Sequence, residues 1–579
     1  MVAVSPTSAD IHSAHVPARR SVRLIRAVVR WILRIAGRLP GEYTIGKLDS
    51  LRDFQAETTS SRLISILFIT PVPCFLSNVL VEIIALANPS SGFKGSLCFQ
   101  IRHFLGGIIV STMPLLVKFT CVPQLSIRSW GFIAGYTTVM AVVTVGSTAL
   151  ISTLSGVFPV PFAQFAPAAP LGIVAAIINS FFLQTPETKA RLDKIDQWAT
   201  MDVIPILVYP IFTTVFMALK STHQIWLSIL LPVIKRFTRQ MVWHILKDDL
   251  DLVGATACSV SHLYHVLFTA MCLQNAKSLE TLVALVLVNI LQMLLNCWDI
   301  TKDAEALNQS RTRFTANSIV LQTDAVSAAL QLADEKEILR SLHQKSPSRV
   351  ISKYPGYQRS EFMTKCHKVL QELPPVTTQQ ASVLPRQGNN QRSLKSAKSL
   401  SKQTQVQLGL AQIAILPDAM DAARAQTFPS KLPTQGDQIH RSEAFIRNIT
   451  TALHQTEIIL LRSYITIFVL TFYGIYLTLV FWMPNRKYYA TMKTITTLAD
   501  IDAMLFHLIL LASLEMVFMA VYLVLISWRL GVSGIHQLAF VLWSQRMLIQ
   551  NKFLTLTLMI LGFPLEHYGN GIIFRLQTG

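Results

Sequence analysis

The chain has 579 residues, of which 51% are apolar and 14% charged, with a formal net charge of +19. A soluble globular chain carries about 25% charged residues, so an ordinary soluble domain is excluded. Apolar runs of roughly 18–25 residues recur, the length that a hydrocarbon core of about 30 Å demands, and they suit helices rather than barrel strands. The expected fold is all-α: a polytopic helical membrane protein of about 10 transmembrane helices in two groups, separated by a long, basic, partly disordered insert.

The basic residues cluster in segments that flank or link the apolar runs. That pattern reads as positive-inside bias and attraction to anionic lipid headgroups. No nucleic-acid motif accompanies the charge, so nucleic acid is not an expected partner. The seven cysteines are odd in number and sit mostly in or near apolar runs, which is no disulfide framework. The first twenty residues are polar and show no cleavable signal peptide.

In chain order, residues 1–60 form an N-terminal region expected in the cytosol. Within it, "SVRLIRAVVRWILRIAGRLP" places Arg23, Arg26, Arg30 and Arg34 at spacings of three and four. They share one face of a basic amphipathic helix suited to an anionic membrane surface. An Arg-rich mitochondrial targeting sequence is the competing reading. "GEYTIGKL" follows, with the glycine and lysine spacing of a phosphate loop. Leu48 stands where the magnesium-binding hydroxyl belongs, and no apolar strand precedes it.

The first bundle is expected over 61–298, with spans near 63–86, 104–122, 131–153, 168–184, 202–219, 224–246, 252–273 and 279–298. The 224–246 span is the weakest, because few uninterrupted apolar residues precede Lys235. "GVFPVPFAQFAPAAPLGIV" carries Pro159, Pro161, Pro167 and Pro170 and no charge. Proline fixes extended geometry and removes a donor. The stretch is expected as a structured connector at the non-cytosolic end of the bundle, with a transporter-type broken helix as the alternative. "FITPVPCF" is the only comparable interruption.

Residues 299–456 form the polar insert, expected to be cytosolic and largely disordered. In "NQRSLKSAKSLSKQ", Ser393, Ser396, Ser399 and Ser401 alternate with basic residues. They are candidate phosphosites of a lipid-bound, phosphorylation-released segment; a solvated linker is the plainer reading. "SIVLQTDAVSAALQLADEKEILRSLHQ" has helical apolar spacing suited to packing on a protein partner or on the spans. The second group, 457–579, contains spans at 460–482 and 502–528, a surface helix at 533–549 and a spanning or re-entrant run at 553–566.

Ionisable groups inside spans are costly and are functional candidates by default. Glu515 lies near the middle of its span, with His507 two turns earlier and only loosely on the same face. Lys118 and Arg462 lie near span ends, where they can snorkel. Cys258, His262, His265, Thr269 and Cys272 follow one another at spacings of four, three, four and three, within an arc of about 80°. Cys258, His262 and His265 could supply three ligands of a metal site or relay protons; a polar helix-packing seam is the plainer reading. No resident cofactor is expected. Enzyme signatures are confined to His244 and Asp249 in "HILKDD" and to "DDLD", both short enough to arise by chance.

Several tracts are distinctive: "GEYTIGKLDSLRDF", "ITPVPCFLSNVLVEIIAL", "GFKGSLCFQIRHFL", "FPVPFAQF", "LLPVIKRF", "CLQNAKS", "MPNRKYY", "HQLAFVLWSQRMLIQNKF" and "EHYGN". Through them nearly the whole chain outside the insert resembles a large paralogous family of multi-pass membrane proteins of oomycetes. The resemblance implies a polytopic membrane protein, recasts "GEYTIGKL" as a tract leading into the first span, and implies no activity, substrate or catalytic residue. The expected function is transporter-like or channel-like, carried by Glu515, Lys118 and the prolines. The alternatives are a non-catalytic receptor or scaffold working through the basic insert and, third, a membrane enzyme.

Overall fold

The computed structural model describes residues 38–569, except 124, 126–128, 181–184, most of 201–220, 275–278, 315–322, 358–359, 372–434 and 494. The basic face of Arg23, Arg26, Arg30 and Arg34 and the serines Ser393, Ser396, Ser399 and Ser401 lie outside the described residues. The chain divides into two compact units, Met1–Cys366 with Ile439–Gly579, and His367–Gln438. The second is described only at its two helical ends, and the account below concerns the first.

The described residues are helical throughout, with no strand and one isolated bridge, between Tyr489 and Leu565. In order they are α1 (Ile45–Glu57), α2 (Ser60–Ile69), α3 (Val72–Ile83), α4 (Leu97–Cys121), α5 (Trp130–Ser155), α6 (Ala168–Ser180), α7 (Pro186–Thr200), α8 (Ser221–Leu246), α9 (Leu250–Gln274), α10 (Leu279–Arg311), α11 (Ala325–Asp334), α12 (Lys336–Lys345), α13 (Glu361–Gln371), α14 (Gln435–Trp482), α15 (Leu498–Leu530), α16 (Gly534–Ser544) and α17 (Arg546–Gly562). Turns of three to five residues lie between some of them.

Local chemistry sets the boundaries. The Thr44 and Thr59 hydroxyls cap α1 and α2 by accepting from Lys47 N and Arg62 N. Thr497 and Asp500 form a reciprocal capping box on α15, and Gly531 ends that helix at φ +69°. Pro71 interrupts the first apolar run, so α2 and α3 are two pieces of one membrane-length segment, Ser60–Ile83.

Among the described residues, six helical segments are long and apolar enough to cross a membrane: Ser60–Ile83, Leu97–Cys121, Trp130–Ser155, Leu250–Met271, Gln435–Trp482 and Leu498–Leu530. Their burial separates them into two kinds. The apolar windows of Ser60–Ile83, α4, α5 and α15 are only 28–33% buried, whereas those of α9 and α14 are 89% and 61% buried. The outer helices turn Phe68, Leu80, Leu154, Phe506 and Val524 outward. Apolar faces of that extent are stable only against an apolar solvent. Trp130, Trp482 and Trp528 are exposed near helix ends, where indole suits the lipid–water interface. The architecture fits a multi-pass membrane protein with α9 and α14 at its centre.

Several expected boundaries shift. The 533–549 segment is not a surface helix: in α16, Gln537 to Leu542 are buried, and α16 packs on α1, α2 and α15. The 553–566 run is part of α17, a buried helix against α3, α4 and α9. The helix expected at 460–482 starts at Gln435. Helices α11 and α12 fall in the tract from Ser318 whose apolar spacing is helical, and α13 lies in the stretch expected to be disordered. Val326, Leu330, Ile338 and Leu339 supply enough apolar surface to bury there.

The proline-rich connector turns between α5 and α6. Ala163 N donates to Tyr568 O at 3.1 Å, and Gln164 Nε2 donates to Met559 O at 3.3 Å. Phe158 packs edge-on against Phe93, Phe99 and His567. A methyl group on Gly569 (φ +71°) would fall 2.1 Å from Val160 O. The connector is thus tied to the C-terminal "EHYGN" tract, and glycine is required where the two backbones meet.

Candidate functional site

Polar groups buried among apolar helices gather at three places. The first joins α1 to the central helices. Lys47 Nζ lies 2.6 Å from Glu457 Oε2 on α14, and both side chains are 1% exposed. The ammonium sits over the Tyr43 ring at 4.2 Å. Thr44 N and Oγ1 donate to the Asp251 carboxylate at 3.1 and 2.8 Å, so α9 is held to the same tract. Gln537 Nε2 donates to Tyr43 OH and to Leu453 O, bringing α16 in. The "GEYTIGKL" tract is therefore a buried clasp, and its lysine is engaged by a carboxylate rather than open to phosphate.

The second lies between α3, α4 and the turn after α14. Arg102 Nη1 and Nη2 donate to Glu82 Oε2 and Oε1 at 3.0 and 2.6 Å. Tyr489 OH and Tyr476 OH also donate to Oε1, at 2.6 and 3.0 Å. The carboxylate accepts four hydrogen bonds, two from the guanidinium that balances its charge and two from neutral tyrosine hydroxyls, a well-satisfied buried ion pair. Asn485 Nδ2 donates to Glu82 O and Ile84 O, and Leu86 N donates to Asn485 Oδ1. These bonds fix the end of α3 against "MPNRKYY".

The third is the candidate site. It lies where α8, α9, α14 and α15 meet. Glu515 on α15 faces Ser463, Arg462 and Lys235. Lys235 in turn lies within electrostatic reach of Arg462, Arg239, Cys258 and Glu515. His262 Nε2 and Thr466 Oγ1 are 2.8 Å apart, and the His262 and His265 rings are 6.3 Å apart. Among the described residues, Arg462 Nε and His265 Nδ1 are buried without a hydrogen-bond partner. An unpaired buried polar atom is costly, and several in one place are a functional signal rather than a packing detail.

The structure brings together some expected residues and separates others. Glu515, His262, His265 and Cys258 do share one neighbourhood. His507 is half-buried against Phe506 and is not among the groups that face Glu515. The Lys118 ammonium pairs with Asp196 on α7 at 2.7 Å, and its side chain is 10% exposed. Cys258 Sγ points to Ile458 O at 3.8 Å. Among the described residues no three His, Cys, Asp or Glu side chains converge as metal ligands. Asp249 of "HILKDD" is held near Lys194 and Lys353, at 3.5 and 3.9 Å, while His244 is exposed.

Sequence reasoning missed the basic side of the site. Lys235 read only as an interruption of the weak 224–246 span, and Arg462 as a snorkelling group. The available signal was the i, i+4 spacing of Lys235 and Arg239, which places both on one face of α8. That α8 pairs with α9 across a turn at 247–249 was not readable from spacing. No protein-family model, no curated protein and no solved structure matches the chain.

Proposed function

We propose that this chain is a transporter-like or channel-like membrane protein whose solute site is the polar group formed by Lys235, Arg462 and Glu515. The observation that carries the reading is that ionisable side chains from four helices meet at the centre of a bundle whose outer helices are apolar. Such groups are retained inside membrane proteins chiefly to handle ions, protons or polar solutes. The test is solute flux across vesicles holding the purified chain. Flux above that of protein-free vesicles, reduced or redirected by Glu515→Ala, is expected; flux indistinguishable from protein-free vesicles contradicts the reading.

About ten crossings belong to this proposal: the six apolar segments together with 168–184, 202–219, α8 and α10. Support comes from Arg349 Nε, 2.5 Å from Glu42 Oε1. Residues before the first crossing and after the eighth therefore touch, which requires an even number of crossings between them. We assign that end to the cytosol, because it gathers most of the short-loop lysines and arginines. Anionic lipid headgroups are the proposed partners of Arg23, Arg26, Arg30 and Arg34. Kinship with the oomycete family is proposed on the quoted tracts alone.

The second reading, a receptor or scaffold acting through the insert, is favoured by one observation. Residues 325–357 fold onto α1, which is itself clasped to α9 and α14, so an event at the insert has a rigid route into the bundle.

A further inference from the structure

A cavity of about 320 Å³ lies where the end of α4, the first half of α7, the turn between α8 and α9 and residues 348–354 meet. Small-ligand pockets run from about 300 to 1,000 Å³ and combine an apolar lining with a few convergent polar groups. Ile195, Leu250, Leu252 and Tyr354 supply the apolar lining here. Three basic groups face the same space, Arg191 and Lys194 from α7 and Lys353 from the insert. So do four carboxylates: Asp248 and Asp249 from the turn, Asp251 from the first turn of α9, and the exposed Glu187 from α7.

Most of these charges engage one another only loosely. Lys194 Nζ is shared between Asp248 Oδ2 at 3.3 Å and Asp249 Oδ2 at 3.5 Å, and Lys353 Nζ is 3.9 Å from Asp249 Oδ1. A full charge-assisted hydrogen bond is about 2.7–2.9 Å long, so these pairs can exchange for the charges of a ligand. Asp251 differs, because its carboxylate already accepts from Thr44 N and Oγ1 at 3.1 and 2.8 Å. Arg191 donates to the Lys353 carbonyl, which joins α7 to the insert beside the cavity.

We infer that this cavity binds a free amino acid with an apolar side chain. Four carboxylates against three cations are close to balance, so a ligand of one sign meets repulsion as well as attraction there. A zwitterion adds no net charge and meets both signs at once. Its ammonium takes the place of Lys194 at Asp248 and Asp249. Its carboxylate takes the released Lys194 together with Arg191, and its side chain fills the apolar part. Ser348, Lys353 and Tyr354 belong to the lining, so an occupied cavity holds this tract of the insert to α7 and α9. The transport proposal can fail without touching the inference, since none of Lys235, Arg462 and Glu515 lines the cavity.

The experiment is thermal unfolding and limited proteolysis of the purified full chain in detergent, titrated with leucine or phenylalanine. A saturable rise in melting temperature and slower cleavage within 345–357 are expected. Leucinamide lacks the carboxylate and N-acetyl-leucine lacks the ammonium. Each should need a concentration about tenfold higher or more, the effect of losing one charged hydrogen bond. Lys194→Gln and Asp249→Asn should raise the half-maximal leucine concentration by a similar factor. Ala190→Trp fills the cavity without removing a charge, should abolish the response, and serves if the charge variants fail to fold. Glycine at equal concentration controls for bulk co-solvent and should do little, having no side chain to bury. No effect of leucine or phenylalanine on the native chain overturns the inference. So does an equal effect of leucinamide, the mark of a cation site, or of N-acetyl-leucine, the mark of an anion site. An undiminished response in Ala190→Trp also overturns it, by placing the binding elsewhere.

Discussion

The Lys47 ammonium lies 2.6 Å from the Glu457 carboxylate, with both side chains 1% exposed. These residues are far apart in sequence, on α1 and α14, and their pairing ties the tract before the first apolar segment to the centre of the bundle. Breaking a buried ion pair leaves an uncompensated charge and costs roughly 3–5 kcal/mol, whereas replacing both partners with apolar groups is often close to neutral. Lys47→Met should therefore lower the melting temperature of the detergent-solubilised chain strongly. The double change Lys47→Met with Glu457→Met should recover most of the loss. Equal melting of the native chain and the single variant would mean that the clasp contributes little.

The Glu82–Arg102 pair makes a different prediction, because its geometry is bidentate. A lysine at 102 keeps the charge but offers no fork that fits both carboxylate oxygens. Stability should fall in the order native, Tyr489→Phe, Arg102→Lys, Arg102→Met. The tyrosine change should cost about 1.5–3 kcal/mol, because it removes the hydrogen bond that Tyr489 OH donates to the Glu82 carboxylate and the one that it accepts from Arg102 Nη2 at 2.7 Å. If Arg102→Lys unfolds at the native temperature, charge alone matters and the fork does not.

Much of this architecture was legible in the sequence, and the unreadable remainder has a physical cause. Apolar runs revealed Leu97–Cys121, Trp130–Ser155 and Leu498–Leu530, because these outer helices are little covered by protein and are apolar over most of their surface. The segments expected as a surface helix and as a spanning or re-entrant run, α16 and α17, are buried by protein. Protein neighbours tolerate Gln537, Asn551 and Lys552 where lipid would not, so their hydropathy is diluted. Glu515 stood out because it interrupts an otherwise apolar run. Arg462 did not, since a basic residue near a span end has an ordinary explanation in snorkelling, and Lys235 read only as an interruption of the weak 224–246 span. Only tertiary contact between α8, α9, α14 and α15 joins them.

Gly46 reports on how the 325–371 helices sit on α1. A Cβ there would lie 2.7 Å from Tyr357 O and 3.3 Å from Met363 Sδ. The first of these is backbone and cannot swing aside. Gly46→Ala should loosen this contact at a cost of about 1–3 kcal/mol, as overpacking does. The readout is faster limited proteolysis within 325–371. Gly146→Ala, where a Cβ meets nothing within 4 Å, is the control and should leave the cleavage rate unchanged.

Glu443 gives the docking of α12 a pH dependence. Partial burial raises the carboxyl's pKa, but hydrogen bonds from Lys345 and Ser341, with the charges of Lys345 and His440, outweigh it and hold the group below its ordinary value of 4.5. A carboxyl lowered in the folded state contributes stability above its unfolded pKa, and that stability is lost as pH falls through the folded value. Protease protection of 336–345 should therefore persist at neutral pH and decline below about pH 4.5, in proportion to the protonation of Glu443. Glu443→Gln should remove this acid-dependent step while lowering protection at neutral pH. An unchanged acid profile in Glu443→Gln would assign the step to another group.

The transport proposal turns on whether the polar group at the meeting of α8, α9, α14 and α15 passes a solute across the membrane. The most direct measurement is flux through vesicles reconstituted with the native chain, Lys235→Met and Glu515→Gln side by side, each first shown to elute as a folded species. The account predicts flux above protein-free vesicles for the native chain and a different rate or selectivity in each variant. Identical flux in all three, or none in the native chain, would contradict it.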